Sequence, residues 1–384
     1  MHICFVIEYY YPHIGGAEIL FQNLVEGLVG LGHECSVVTC RLPNTRKDEV
    51  VNGVNVHRVW VPTFGDRYWF TFLSLFSAWR YGRKAEIIHT MTYNGVLVAW
   101  LVSMLQNKPL FITVFEVIGK KWHKLGLSSV KAFVFRLIER VVLAFPYDSY
   151  SCISRNTMAA LQEYCIPAKK LFLAYPGIDY KLFSPTGYPE KSNQITIIPG
   201  KAPETFLYTY YGRPGFVKGV EYLVRAIPEI RQKIPHSRLL LILSRKPENL
   251  YKKIIQLIEA LGLKIGEDLY LIDSVPRDQL PLYLRASDCI VVPSLNEGFG
   301  FSCVEACTLG LPVVVTSAGS LPEVVFGKYV IVEPADSSAI ARGVASVFNR
   351  EWMVSGEKIF SWENYIERHV EVYNSELSIR SQKG

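Results

Sequence analysis

The 384-residue chain is 49% hydrophobic and 20% charged, which supplies apolar side chains for two ordinary domains with separate cores and excludes a largely disordered chain. Lysine and arginine exceed aspartate and glutamate by 41 − 35 = 6, a mild and dispersed excess that suits anionic ligands and excludes the dense basic face of a nucleic-acid binder. The eight cysteines show no Cys-x-x-Cys spacing, and several lie in apolar runs, so neither a metal site nor a disulfide framework is expected and a reducing compartment is.

The chain starts directly on an apolar run, Ile3–Ile7, with no basic leader before it. Further strands are predicted at Glu34–Thr39, Val54–Trp60, Ile87–Thr90, Leu110–Val114, Ser149–Ile153 and Leu171–Tyr175, with helices including Glu18–Leu31 and Val130–Ala144. The longest apolar run, Gly95 to Leu105, is about half the ~20 residues a spanning helix needs. A Pro/Gly/polar stretch from Phe183 to Asn193 then reads as a linker. The second half repeats the plan, with strands near Phe206–Tyr211, Arg238–Leu243, Leu269–Ile272, Cys289–Val292, Val313–Thr316 and Val330–Val332. Helices near Val220–Arg231, Asn249–Leu261, Gln279–Ala286 and Phe301–Leu309 separate them. Strand and helix alternating throughout predicts α/β architecture, with parallel sheets covered on both faces.

The run Pro293-Ser294-Leu295-Asn296-Glu297-Gly298-Phe299-Gly300-Phe301-Ser302-Cys303-Val304-Glu305-Ala306 is the most informative. Gly298 and Gly300 let a backbone turn approach a ligand closely, and the helix that follows presents free N–H groups to a phosphate. Glu297 in the turn and Glu305 about two turns into the helix are placed to flank one pocket. Beside a phosphate, carboxylates are better suited to accepting hydrogen bonds from neutral hydroxyls, as on a sugar. In Tyr210-Tyr211-Gly212-Arg213-Pro214-Gly215-Phe216-Val217-Lys218-Gly219-Val220, Arg213 and Lys218 are spaced to bracket a diphosphate. A Gly15-Gly16 turn after the first strand opens a helix at Ala17-Glu18.

Taken together these runs resemble the retaining glycosyltransferases of the glycogen synthase and family 4 type. The resemblance covers nearly the whole chain. It implies the GT-B fold: two Rossmann-like domains facing each other across a cleft, 1–185 binding acceptor and 186–355 binding donor, with 356–384 holding a last helix that packs back on the first. By the same resemblance Glu297 contacts the donor sugar, Glu305 the nucleotide ribose, and Arg213 and Lys218 the diphosphate. Gly15, Gly16, Gly298, Phe299 and Gly300 complete the donor site. Pro176-Gly177-Ile178-Asp179 and Gly319-Ser320-Leu321-Pro322-Glu323 resemble further family elements with structural roles. The implied reaction moves a hexose from a nucleotide diphosphate sugar to an acceptor hydroxyl with retention, the leaving phosphate oxygen taking the acceptor proton. No Asp-x-Asp motif appears, so no metal or other cofactor is expected.

Two departures stand out. The family's Thr-Val-His after the fifth strand is Thr113-Val114-Phe115-Glu116 here, which leaves Glu116, His123 or His89 as candidate sugar or acceptor contacts. The glycine-rich turn expected after the second strand of the nucleotide domain is Leu243-Ser244-Arg245-Lys246-Pro247, with two cations. The segment Arg67 to Lys84 is aromatic and flanked by cations, and Lys120-Lys121-Trp122-His123-Lys124 adds another basic-aromatic cluster. Each fits a packed helix or a membrane interface equally well. The expected partners are therefore a nucleotide sugar, a glycan or lipid-linked acceptor and a membrane surface, with no nucleic acid. The expected location is cytoplasmic, peripheral on the inner face of the membrane. A non-catalytic sugar-nucleotide-binding protein is the alternative that Phe115 raises.

Overall fold

The apolar runs read as strands do form strands in the computed structural model, which describes residues 1–13, 15–125, 127–186, 198 and 201–382. They fall into two compact units, Met1–Gly177 with the segment from Phe360 onward, and Ile178–Ile359. Residues 187–193 of the linker-like stretch lie outside the described residues.

In the first unit the chain runs β1 (His2–Val6), α1 (Gly16–Gly30), β2 (Glu34–Cys40), β3 (Asp48–Val51), β4 (Val54–Val59), α2 (Asp66–Leu73), α3 (Leu75–Gly82), β5 (Ile87–Met91), α4 (Val96–Gln106), β6 (Leu110–Val114), α5 (Ser129–Leu143), β7 (Ser149–Cys152), α6 (Arg155–Glu163) and β8 (Leu171–Leu173). The second holds β9 (Phe206–Gly212), α7 (Val220–Lys233), β10 (Ser237–Leu243), α8 (Glu248–Ala260), β11 (Leu269–Ile272), α9 (Leu280–Arg285), β12 (Cys289–Val292), α10 (Phe301–Thr308), β13 (Val313–Thr316), α11 (Leu321–Val324), β14 (Gly327–Val332), α12 (Ser337–Phe348) and β15 (Met353–Ser355). The last helix, α13 (Trp362–Ser381), belongs to the first unit.

The eight-stranded sheet has the order β3-β4-β2-β1-β5-β6-β7-β8 and the seven-stranded sheet β11-β10-β9-β12-β13-β14-β15. Pairing is parallel except at the β3/β4 and β14/β15 edges. Central strands such as β1, β6 and β12 are buried along their whole length, which is why their sequences are continuously apolar rather than alternating. In each sheet the winding direction reverses once, between β1 and β5 and between β9 and β12. Ligands of such sheets bind beyond the carboxyl ends of the strands at that reversal.

Several elements differ from the sequence expectation. The run from Gly95 is α4, apolar nearly all round because Val96, Val98, Ala99 and Val102 are buried against the sheet. The aromatic stretch from Arg67 is two short helices, α2 and α3, which bury Phe70 and Ala78 but leave Tyr68, Phe72 and Phe76 exposed. Helix α13 packs on α1, with Ile366 against Gly27, while buried His369 and Tyr373 lie against His89, Phe111 and Phe172 of the sheet. A Cβ on Gly27 of α1 would lie 2.1 Å from Ile366 Cδ1, so a larger residue there would require the Ile366 side chain to shift. No helix among the described residues is long and apolar enough to cross a membrane.

Candidate active site

The loops leaving β9 and β12, neighbours at the reversal of the second sheet, are stitched together by backbone. Leu295 N–H donates to Val217 O at 2.7 Å and Asn296 N–H to the same oxygen at 3.4 Å. Gly219, which opens α7, has φ +63°, and a Cβ there would stand 2.0 Å from Pro293 O. That contact brings Lys218 to Glu297: the ammonium donates to Oε1 at 3.1 Å and Oε2 at 3.0 Å, and Ser294 Oγ donates to Oε2 at 2.9 Å. The Glu297 side chain is 12% exposed and that of Lys218 37%. The pair is thus partly shielded from water, where a charged contact is stronger than on an open surface.

A third loop, after β13, fixes the backbone of Glu297. Ser320 N–H and Oγ both donate to Glu297 O, at 3.0 and 3.2 Å, and Thr316 Oγ1 donates to Ser294 O at 2.5 Å. Gly319, at φ +58°, lies so close that a Cβ would meet Glu297 O at 2.2 Å and N at 2.5 Å. The Gly319-Ser320 motif, structural from the sequence, is therefore the seat of Glu297. Gly319→Ala is expected to push the carboxylate out of place and lower kcat/KM for the donor by about a hundredfold, the scale for a ~1 Å misplacement, with the protein still folded. Steady-state kinetics beside a thermal melt checks this. Full activity would mean that the loop position of Glu297 is not important.

Glu305 sits elsewhere in the hydrogen-bond pattern. It lies on α10, 2% exposed, with Oε1 accepting from Arg277 Nη2 at 2.8 Å and Oε2 from the Tyr211 hydroxyl at 2.9 Å. The same hydroxyl lies 2.8 Å from Ser302 O, so its single proton is shared between the two acceptors. Burial pushes the Glu305 carboxyl up from its ordinary value, against the pull of Arg277 and Tyr211. The Arg277 guanidinium carbon is 5.2 Å from the centroid of the Phe183 ring. The two glutamates are therefore held by different cations, Glu297 by Lys218 and Glu305 by Arg277.

Arg213 is exposed just past β9, and its guanidinium makes no hydrogen bond or ion pair with the described residues. Gly298, Phe299 and Gly300 are buried, and Phe299 packs edge-on against Phe301 at 5.1 Å. Gly300 is left-handed at φ +90° where it caps α10. Arg245, read as a cation near the nucleotide, is ion-paired with Asp273 at 2.9 Å. Arg277 and Tyr211 were not singled out from sequence; the signal was Glu305 itself, since a carboxylate on a buried helix face requires a cation and donors.

In the first unit, the reversal between β1 and β5 carries Glu8, 6% exposed, which accepts from Asn94 N–H at 3.2 Å and Nδ2 at 2.5 Å. Burial raises the Glu8 carboxyl. Arg67 lies 3.8 Å from Glu8 and over the Tyr9 ring, and Tyr9 donates to Asp66. Gly15 caps α1 with extended backbone and Gly16 is exposed in its first turn. Glu116 is half-buried and His123 exposed on the 3-10 turn Gly119–Lys124. His89 is a core residue: it is fully buried, bonded to the Tyr373 hydroxyl and to Thr113 Oγ1 at 2.9 Å. Burial holds its pKa well down, and both ring nitrogens are engaged within the core. Phe115 is half-buried against Phe21.

Two doubly wound sheets, each with a reversal point carrying polar side chains, match the architecture of known transferases. The family model for glycosyl transferases group 1 matches residues 192–365, and that for the glycosyl transferase 4-like domain matches residues 15–177. An uncharacterized glycosyltransferase of Methanocaldococcus jannaschii is 28% identical over 97% of this chain and 98% of its own. The phosphatidylinositol N-acetylglucosaminyltransferase GPI3 subunit of Saccharomyces cerevisiae is 24% identical over 99% of this chain and 84% of its own. Anabaena HepE, solved in complex with UDP-glucose, superposes with a TM-score of 0.72 at 17% identity, covering 100% of each chain. The fold is GT-B, and the chain belongs to the family 4 type of glycosyltransferases.

Proposed function

We propose that this glycosyltransferase moves a hexose from a nucleotide diphosphate sugar to an acceptor hydroxyl with retention of anomeric configuration. The Lys218–Glu297 pair carries the proposal, because it sets a cation and a hydrogen-bond acceptor side by side at the reversal point of the second sheet. Glu297 accepts from donor-sugar hydroxyls, while Lys218 and Arg213 face the diphosphate. The N-terminal ends of α7 and α10 add the positive ends of their helix dipoles to the phosphate environment. Glu305 receives the ribose, oriented by Arg277 and Tyr211. As the bond from the anomeric carbon to the diphosphate breaks, the acceptor oxygen bonds to that carbon on the same face, and the departing phosphate oxygen takes the acceptor proton. Glu297, held by an ammonium and a hydroxyl, then stabilises the electron-poor sugar. These cations carry the leaving-group charge in the proposal, so no metal or other cofactor is invoked.

The acceptor is proposed to be lipid-borne, a glycolipid or lipid-linked glycan, with the enzyme peripheral on the inner face of a membrane. Support comes from the phosphatidylinositol transferase named above and from the exposed aromatics of α2 and α3. The donor is a nucleotide sugar of the kind bound by the Anabaena structure. Arg213→Ala tests the donor site, since Arg213 is exposed and its loss leaves no buried partner behind. Nucleoside diphosphate binding should weaken by about 1.5–3 kcal/mol, the range for hydrogen bonds to charged groups, with the melting temperature unchanged. Isothermal titration with UDP and other nucleoside diphosphates reads it. Equal affinity in both proteins would remove Arg213 from the donor site.

A further inference from the structure

Helix α5 is fastened to the first unit by a short buried face with Glu139 as its polar anchor, and turns a longer apolar stripe outward. The inward positions are Ala132, Glu139, Val142 and Leu143. Buried Glu139 accepts from Ile118 N–H at 3.1 Å, Gly119 N–H at 2.8 Å, Trp122 Nε1 at 2.9 Å and the Tyr164 hydroxyl at 2.7 Å. Val130, Phe133, Val134, Leu137, Ile138 and Val141 recur at i, i+3, i+4, i+7, i+8 and i+11, the spacing of one helix face, and are 42–73% exposed. An ordinary surface helix is built the other way round. Phe70 of α2, Ala78 of α3, Ala99 of α4, Leu143 of α5 and Leu161 of α6 share one core. These helices therefore cover the same face of the sheet, and exposed Phe72, Phe76 and Leu105 lie in the layer that holds the α5 stripe.

The charge around the stripe is one-sided. Exposed Lys120, Lys121, Lys131 and Arg140 and half-buried Arg136 surround it, and the only carboxylate between Val117 and Pro146 is Glu139, which is buried. A second copy docked through this face about a two-fold axis would set these cations against themselves. An anionic lipid surface matches both features, taking the apolar stripe into the acyl boundary and the cations at the headgroups.

We infer that the outward face of α5, continued by α2 and α3, docks this enzyme on an anionic bilayer. The inference rests on the lipid-borne acceptor proposed above and assigns the surface that meets the lipid. Flotation of the full chain with vesicles of phosphatidylcholine and phosphatidylglycerol, and of phosphatidylcholine alone, tests it. Wild-type protein should float with the anionic vesicles and be released by salt. Leu137→Glu with Ile138→Glu should weaken binding by at least about a hundredfold, and Lys131→Gln with Arg140→Gln by roughly fivefold per charge removed. Both pairs are at the surface, so circular dichroism and nucleoside diphosphate binding should stay as in wild type. Three outcomes would overturn the docking surface: no binding of wild type to anionic vesicles, unchanged binding of the glutamate variant, or a dimer that this variant dissociates without any vesicle binding. Loss of nucleotide binding in wild type would instead strike at the donor site, leaving the two failures separable.

Discussion

Arg277→Ala is expected to destabilise the second unit by about 3 kcal/mol, the low end for stripping the partner from a buried charge. Glu305 is 2% exposed and keeps only the Tyr211 hydroxyl once the guanidinium is gone. Arg277 itself is about one-third exposed, so the cost arises from stranding the carboxylate rather than from losing the arginine. The loss should depend on pH with a definite sign. Burial already raises Glu305 above its unfolded value, so the folded state takes up a proton more readily than the unfolded chain. The stability this contributes is present below the unfolded carboxylate range and lost as pH rises through the raised value. Removing Arg277 moves that value further up, so the variant should lose more against wild type at about pH 8 than at about pH 5. Urea unfolding at both pH values checks it. An equal loss at both would mean that Arg277 acts through packing on Phe183 and not through charge.

The second sheet and its site were legible to different degrees, for physical reasons. Strands buried on both faces announce themselves as apolar runs, and β9, β10, β12 and β13 were found within a residue or two. Gly298 and Gly300 pointed to the turn after Glu297, and Gly300 takes the left-handed conformation there. What stayed hidden was partnership across the fold. Arg277 follows β11, 28 positions before Glu305, and nothing local marks it as that residue's counter-ion. Lys218 and Glu297 were read as having separate tasks, because only the pairing of β9 with β12 shows that they meet. Helix α4 was missed because a helix covered on several sides has no polar stripe to give it a period. The outward apolar face of α5 was equally invisible, since a period shows that a helix has two faces but not which one meets the sheet.

Glu297→Gln is expected to have the largest effect on turnover. Glutamine keeps the size of the side chain and one acceptor, and the backbone at this position is held independently by Gly319 and Ser320. Folding should therefore tolerate it. The charge is what is lost, and charge matters most when the sugar becomes electron-poor and its hydroxyls become stronger donors. Hydrogen bonds that tighten only in the transition state act on kcat, whereas those made equally throughout act on KM. A fall in kcat of about a hundred- to a thousandfold, the scale for removing one electrostatic stabiliser, should accompany a nearly unchanged donor KM. Neutralising Glu297 also frees Lys218, so diphosphate affinity should hold or rise slightly.

The most direct measurement follows nucleoside diphosphate release from a panel of nucleotide sugars by wild type and Glu297→Gln side by side. The expected result is turnover of at least one donor by wild type, with a kcat about a hundredfold or more lower in the variant at similar KM and an unchanged melting temperature. Equal kcat in the two proteins on a donor that wild type turns over would contradict the assignment, placing the chemistry somewhere other than the Lys218–Glu297 pair.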